Sequence, residues 1–238
     1  MPSNEPITSV ALESTAGLAQ KIDGRELPRY VAVEGPIGVG KTTLARKLAE
    51  AFAYPLLLEP AAENPFLDRF YRDGRHNALP TQLFFLLHRA QQMTELGGND
   101  LLGPMVVSDF LIEKDDLFAR MTLDGNEYEL YQQIHTNLAI DAPTPDLVIY
   151  LQAPVEVLLQ RIRSRGIDYE RHIDVAYLTT LADAYTEFFH FYTQAPLLVV
   201  NAGTIDFAGN AAHFDALLDQ LLTMDGLRQY FNPNPTLL

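Results

Sequence analysis

Cysteine is absent from all 238 residues, which excludes disulfides, thiolate-bound zinc and thiol catalysis. That absence is compatible with a cytoplasmic location. Basic residues are scarce: 17 Lys+Arg stand against 31 Asp+Glu, leaving a formal charge of −14. Such a surface repels phosphate polymers and anionic lipid, so neither a nucleic-acid polymer nor a membrane is an expected partner. An anionic ligand has to be held by a local cluster of donors. No uncharged apolar run approaches the about 18 residues a membrane span needs. The first twenty residues, MPSNEPITSVALESTAGLAQ, lack the basic and apolar order of a secretory signal. What remains is ordinary for a packed protein: 47% apolar and 20% charged residues exclude global disorder.

Residues 1–28 are polar and weakly patterned, and read as a mobile N-terminal leader. Residues 29–238 read as a single domain. Short apolar runs at 30–34 (YVAVE), 55–58 (PLLL), 105–108 (MVVS), 147–151 (LVIYL) and 197–200 (LLVV) suit buried parallel strands. Helical patterns occupy 41–52, 78–96, 127–138, 154–165, 177–192 and 210–223. Strands alternating with helices predict an α/β fold built on a doubly wound parallel sheet.

The strongest signal is Gly35-Pro36-Ile37-Gly38-Val39-Gly40-Lys41-Thr42-Thr43, set between a strand and a helix. It fits G-x-x-x-x-G-K-[ST] in the context that motif requires. Glycines let backbone N–H groups converge on phosphate oxygens, and the helix N-terminus adds partial positive charge. Lys41 is placed to reach the β- and γ-phosphates, and the Thr42 hydroxyl to ligate Mg²⁺. The bland alternative is a glycine turn followed by a surface lysine, but spacing and flanking pattern disfavour it. No N-K-x-D base-reading motif of a GTPase occurs, and the 105–108 strand lacks the acidic run usual in motor ATPases. A small phosphotransferase is the better fit.

Three further groups attract attention. Glu59 ends the 55–58 strand, and ligands collect at the carboxyl ends of parallel strands. There a carboxylate can orient an acceptor hydroxyl and take its proton; a solvated loop glutamate is the alternative. Arg161 and Arg165 lie four apart on one helix face, just before Gly166, as closure over a γ-phosphate requires. A solvated basic face is the alternative. Gln82 and Arg89 lie seven apart among apolar residues, suited to reading a flat base edge, or simply exposed.

Taken together, EGPIGVGKTTLA (34–45), EPAAENPFLDRFY (59–71), TQLFFLLHRAQQ (81–92), RIRSRG (161–166), DYE (168–170) and Asp206-Phe207 resemble the deoxynucleoside kinases, near their bacterial purine-using members. The likeness runs from Tyr30 to about Phe207. It implies a P-loop kinase fold: a five-stranded parallel sheet, helices on both faces and a small arginine-bearing lid. It implies ATP as donor with Mg²⁺, a deoxyribonucleoside 5′-hydroxyl as acceptor, and a homodimer. By position, Glu59 matches the catalytic carboxylate, Tyr71 and Glu170 the pair gripping the sugar 3′-hydroxyl, Gln82 and Arg89 the base side, and Arg161 and Arg165 the lid. Asp206-Phe207 falls beside the donor adenine.

The chain departs from the family pattern at three places. Ser108-Asp109-Phe110 stands where the family has an acidic residue followed by Arg-Ser, Lys114 where it has Asp, and Ile167 where it has a third lid arginine. Either Asp109 and Lys114 form a charge-swapped ion pair, or both are solvated. Asp109 is expected near Mg²⁺, and Lys114 as a donor to the base edge. Two alternatives to a nucleoside kinase stay open: a nucleoside monophosphate kinase such as a thymidylate kinase, and a catalytically weak nucleotide sensor.

Overall fold

The apolar runs pair side by side, because strands buried on both faces have only one another's backbones to bond. The computed structural model describes residues 21–22, 25–96 and 103–233. Its main sheet holds β3 (Tyr30–Glu34), β4 (Leu56–Leu57), β5 (Val106–Ser108), β6 (Leu147–Gln152), β7 (Leu197–Asn201) and β8 (Arg228–Phe231). Their order is β4-β5-β3-β6-β7-β8, and every pairing is parallel. The expected five strands are therefore six. The sixth, RQYF, carries no apolar run because an edge strand is only half covered. Ahead of the sheet, β1 (Lys21–Ile22) pairs antiparallel with β2 (Arg25–Glu26), and Leu27 is buried in the core. The rest of the expected 1–28 leader, residues 1–20 and 23–24, lies outside the described residues.

Helices α1 (Lys41–Phe52), α2 (Leu67–Asp73), α3 (Ala78–Leu96), α4 (Lys114–Thr122), α5 (Gly125–Leu138), α6 (Val155–Arg165), α7 (Val175–Phe191) and α8 (Ala211–Leu222) cover both faces. Helix α1 buries Leu44, Leu48 and Phe52, the stripe its periodicity predicts. Helix α3 breaks its pattern: Leu87 is exposed while Gln82 and Arg89 are buried. Helices α2 and α4 escape a reading by periodicity. The first is one short piece of seven residues, and the second opens on Lys-Asp-Asp, of which Lys114 and Asp115 point inward. No helix among the described residues is long and apolar enough to cross a membrane.

Two glycines place the loop after β3. Gly35 has φ +147°, and a Cβ on it would stand 2.3 Å from the Leu151 carbonyl oxygen of β6. Gly38 has φ +83°, and its Cβ would meet the Leu158 carbonyl and Ile162 of α6 at 2.8 Å. Gly40, at φ +109°, faces open space. Gly35→Ala is thus expected to combine backbone strain with overlap and to cost about 3 kcal/mol or more. Gly40→Ala should cost only the strain, about 1 to 2 kcal/mol. Urea unfolding midpoints at unchanged m-value measure both, and equal losses would contradict the close approach of loop and sheet.

Candidate active site

At the carboxyl end of β3 the chain turns through Gly35 and enters α1, with Gly40 as the residue before its first turn. The Val39 amide donates to the Pro36 carbonyl at 3.2 Å, closing the loop on itself. Gly38, Val39, Gly40, Lys41, Thr42 and Thr43 line one wall of a cavity of about 290 Å³. Arg161, Arg165, Asp206 and Phe207 stand across it. A second cavity lies at the ends of β4 and β5. Glu59, Tyr71, Gln82, Arg89, Asp109, Lys114 and Glu170 all line it, so every residue assigned to the acceptor from sequence is brought together. Gly38, Lys41, Thr42 and Arg165 belong to both cavities. Lys41 is at that junction, its ammonium donating to the Gly35 carbonyl at 2.7 Å and to Pro36 at 3.3 Å.

The second cavity holds a buried charge network. Glu59 pairs with the Arg89 guanidinium, and the Lys114 ammonium lies 3.1 Å away. Arg89 also pairs with Asp115 and lies over the rings of Phe85 and Phe110, 5.2 and 5.8 Å from their centroids. Lys114 reaches a second carboxylate, Glu34, at 3.6 Å. Glu34 is wholly buried and accepts from the Tyr185 hydroxyl at 2.9 Å and from the Gly35 and Leu111 amides at 2.9 and 2.8 Å. Asp109 accepts from the Thr42 hydroxyl at 2.6 Å and from the Glu59 amide at 2.8 Å.

These contacts set the charges. Burial alone would raise the Glu59 carboxyl, but Arg89, Lys114 and Lys41 outweigh it and hold it well below the usual carboxylate range. Asp109 goes the other way: burial pushes it up, against the Thr42 and Glu59 hydrogen bonds. Burial pulls the Lys41 ammonium down, opposed by Glu34, Glu59 and Asp109. Glu170 is raised by burial despite the Arg165 pair. Burial raises the Tyr71 hydroxyl well above its ordinary value.

The charge-swapped pair, one of the two readings of Asp109 and Lys114, does not form among the described ion pairs. Lys114 opens α4 with its side chain between Glu34 and Glu59, while Asp109 is taken by Thr42 and the Glu59 amide. The carboxylates that Lys114 meets are supplied across the fold rather than by Asp109. Nor are the two solvated: both are buried. The Lys114 ammonium, expected at a base edge, lines the second cavity and faces two carboxylates there.

On the lid side, α6 ends at Gly166, whose φ of +69° breaks the helix and leads into a turn of 3₁₀ helix at Asp168–His172. Arg165 forks onto Glu170, Nε to Oε2 at 3.0 Å and Nη2 to Oε1 at 2.6 Å. Arg161 donates to the Val39, Ala202 and Ile205 carbonyls at 3.0, 2.8 and 2.8 Å, tying the phosphate loop to the segment after β7. Asp206 folds onto its own turn, accepting from the Ala208 and Gly209 amides, both at 2.9 Å. Its neighbour Phe207 is buried.

Sequence reasoning missed Glu34, Asp115 and Tyr185. A charged residue ending an apolar strand, as Glu34 does, was a usable signal, since an unpaired buried charge is untenable. Asp115 had none: in Lys-Asp-Asp, sequence cannot tell an inward carboxylate from an outward one. Asp116 faces solvent and pairs with Arg120 at 2.6 Å.

The family model described as "Deoxynucleoside kinase" matches residues 31–224. A deoxyguanosine kinase of Bacillus subtilis (strain 168) is 35% identical over 193 residues, covering 79% of this chain and 93% of its own. A deoxyadenosine kinase of Dictyostelium discoideum is 33% identical over 178 residues, 72% of this chain and 71% of its own. In fold, the chain is similar to a deoxyadenosine kinase from M. mycoides solved with bound dATP. The TM-score is 0.71 at 24% identity, over 81% of this chain and 98% of that one. With the family match spanning most of its length and two cavities meeting at the glycine-rich loop, this chain belongs to the deoxynucleoside kinase family.

Proposed function

We propose that the chain transfers the γ-phosphoryl group of ATP to the 5′-hydroxyl of a deoxyribonucleoside, with a purine base favoured. The observation that carries this reading is the shared wall of the two cavities. Lys41, Thr42 and Arg165 border both, where a donor phosphate and an acceptor hydroxyl would meet. The naming of its relatives as deoxyguanosine and deoxyadenosine kinases supports a purine. A nucleoside monophosphate kinase would need free cations for the acceptor's own phosphate. Arg89 and Lys114 are instead engaged by Glu34, Glu59 and Asp115, which favours an uncharged sugar. The presence of Lys41 and of an ionised Glu59 in one cavity weighs against a mere sensor. Action as a cytoplasmic homodimer belongs to the same reading.

In this mechanism Lys41 offsets charge on the phosphate oxygens. Glu59 orients the 5′-hydroxyl. Being weakly basic, it takes the proton only as the phosphoryl group arrives. Tyr71 and Glu170 hold the 3′-hydroxyl, Gln82 reads the base, and Arg165 approaches the phosphates from the lid. Arg161 serves through the backbone it ties down. The Thr42 hydroxyl and Asp109 carboxylate, 2.6 Å apart beside the loop, are hard oxygen donors that fit Mg²⁺. They would hold it together with the phosphates, and it would neutralise phosphate charge there.

Consumption of ATP with each deoxynucleoside and each deoxynucleoside monophosphate tests the reading, and turnover confined to monophosphates would refute it. Lys41→Ala and Glu59→Gln are each expected to lower kcat by about a hundredfold or more with the circular dichroism spectrum unchanged. Near-normal kcat in Glu59→Gln removes that residue from the chemistry. Tyr71→Phe should weaken kcat/KM for 2′-deoxynucleosides by about tenfold and leave 2′,3′-dideoxynucleosides nearly unaffected. Equal losses on both would sink the 3′-hydroxyl assignment. Glu170 is a poorer probe, since it also holds Arg165.

Glu59 has its folded pKa depressed, so its stabilising contribution is complete above the ordinary value of 4.5 and is lost as pH falls below it. Activity in the parent protein should therefore not lose this carboxylate between pH 7 and 5. In Lys114→Met the carboxyl rises while Arg89 and Lys41 still hold it down. The acid limb of kcat/KM should then sit at higher pH in the variant than in the parent, and the same acid limb in both would deny Lys114 its hold on Glu59.

A further inference from the structure

Thr122 is the last residue of α4, and it faces Gln82 of α3. Its hydroxyl donates to the Phe118 carbonyl one turn earlier, at 2.7 Å. A hydroxyl has one proton, so the Thr122 oxygen is left able only to accept. The Gln82 amide nitrogen supplies the matching donor at 3.3 Å. Turning that amide over would set its carbonyl oxygen against the Thr122 lone pairs. The direction of the amide is thus decided by a chain of two hydrogen bonds running back to the backbone of α4. Gln82 is 4% exposed and lines the acceptor cavity. Its carbonyl oxygen forms no hydrogen bond among the described residues, which leaves an acceptor and one N–H for a ligand.

The geometry points to Thr122 as the positioning residue that sets the direction of the Gln82 amide and thereby decides between an adenine and a guanine base. This rests on the proposed function, in which Gln82 meets a purine. Adenine carries an amino donor at position 6 and an acceptor at N1. Guanine carries an acceptor at O6 and a donor at N1. An amide that satisfies one edge through both its atoms presents acceptor to acceptor and donor to donor against the other. For a base held in one pose, a fixed amide is therefore a selector, and an amide free to turn over is not. The preference would be enforced by a residue that need not touch the base.

Thr122→Val keeps the shape and removes the acceptor. The ratio of kcat/KM for deoxyadenosine and deoxyguanosine is expected to move toward one by roughly three- to tenfold, the worth of one hydrogen bond. Thr122→Ser, which keeps the hydroxyl, should retain the parent ratio. A purely structural role would lower both substrates alike and leave the ratio where it was. An unchanged ratio in a folded Thr122→Val overturns the inference, as does a serine variant that behaves like valine. If the valine variant does not fold, judged by its melting temperature, Thr122→Ala is read by the same criterion. A parent enzyme that uses the two nucleosides equally overturns this inference alone. A parent that phosphorylates neither refutes the proposed function, and the inference with it.

Discussion

The second cavity is organised around one carboxylate, Glu59, kept ionised in a buried place by two cations, Arg89 and Lys114. A charge removed from water is tolerated only when paired and hydrogen-bonded, and each partner must then be paired in turn. The demand propagates. Arg89 needs Asp115, and Lys114 needs Glu34. Glu34 is itself satisfied by Tyr185 and two backbone amides. Such a network adds little net stability, but removing any one member strands a buried charge at a cost of about 3 to 5 kcal/mol. What it secures is placement: five charged side chains from β3, α3, α4 and the β4 end converge on one point.

The same network joins the two cavities. Glu34 accepts from the Gly35 amide at the root of the phosphate loop while holding Lys114, which faces Glu59. Asp109 accepts from Thr42 on the loop helix and from the Glu59 backbone. The two cavities therefore share hydrogen bonds as well as a wall. Arg161 completes the frame by tying the Val39 carbonyl to the segment after β7. Arg165 does the reverse: pinned to Glu170 rather than to backbone, and partly exposed, it is the guanidinium with freedom to change partners.

Periodicity captured what depends on local pattern. Helices α1 and α3 run over the residues their spacing predicts, and β3 over its apolar run, since a buried strand needs side chains of one kind on both faces. Pattern failed where burial and hydrophobicity part company. Strand β8 is half-polar because it lies at an edge, and α4 turns Lys114 and Asp115 inward because Glu34, Glu59 and Arg89 await them. Helix α3 shows the same inversion, exposing Leu87 and burying Arg89.

The phosphate loop was determined by sequence alone, because its glycines, lysine and threonine act through neighbouring backbone and their order along the chain is their geometry. The family resemblance, too, was carried by short motifs in sequence. Only the tertiary structure decided the partners of the charges. Asp109 and Lys114 are five residues apart, near enough to suggest a pair, yet each is claimed by groups 50 or more residues away in the chain, and the two stay separate. Electrostatic and hydrogen-bonding energies depend on distance through space. Sequence separation bounds that distance only for close neighbours, so the choice among several carboxylates and cations could be made only when the sheet brought their strand ends together.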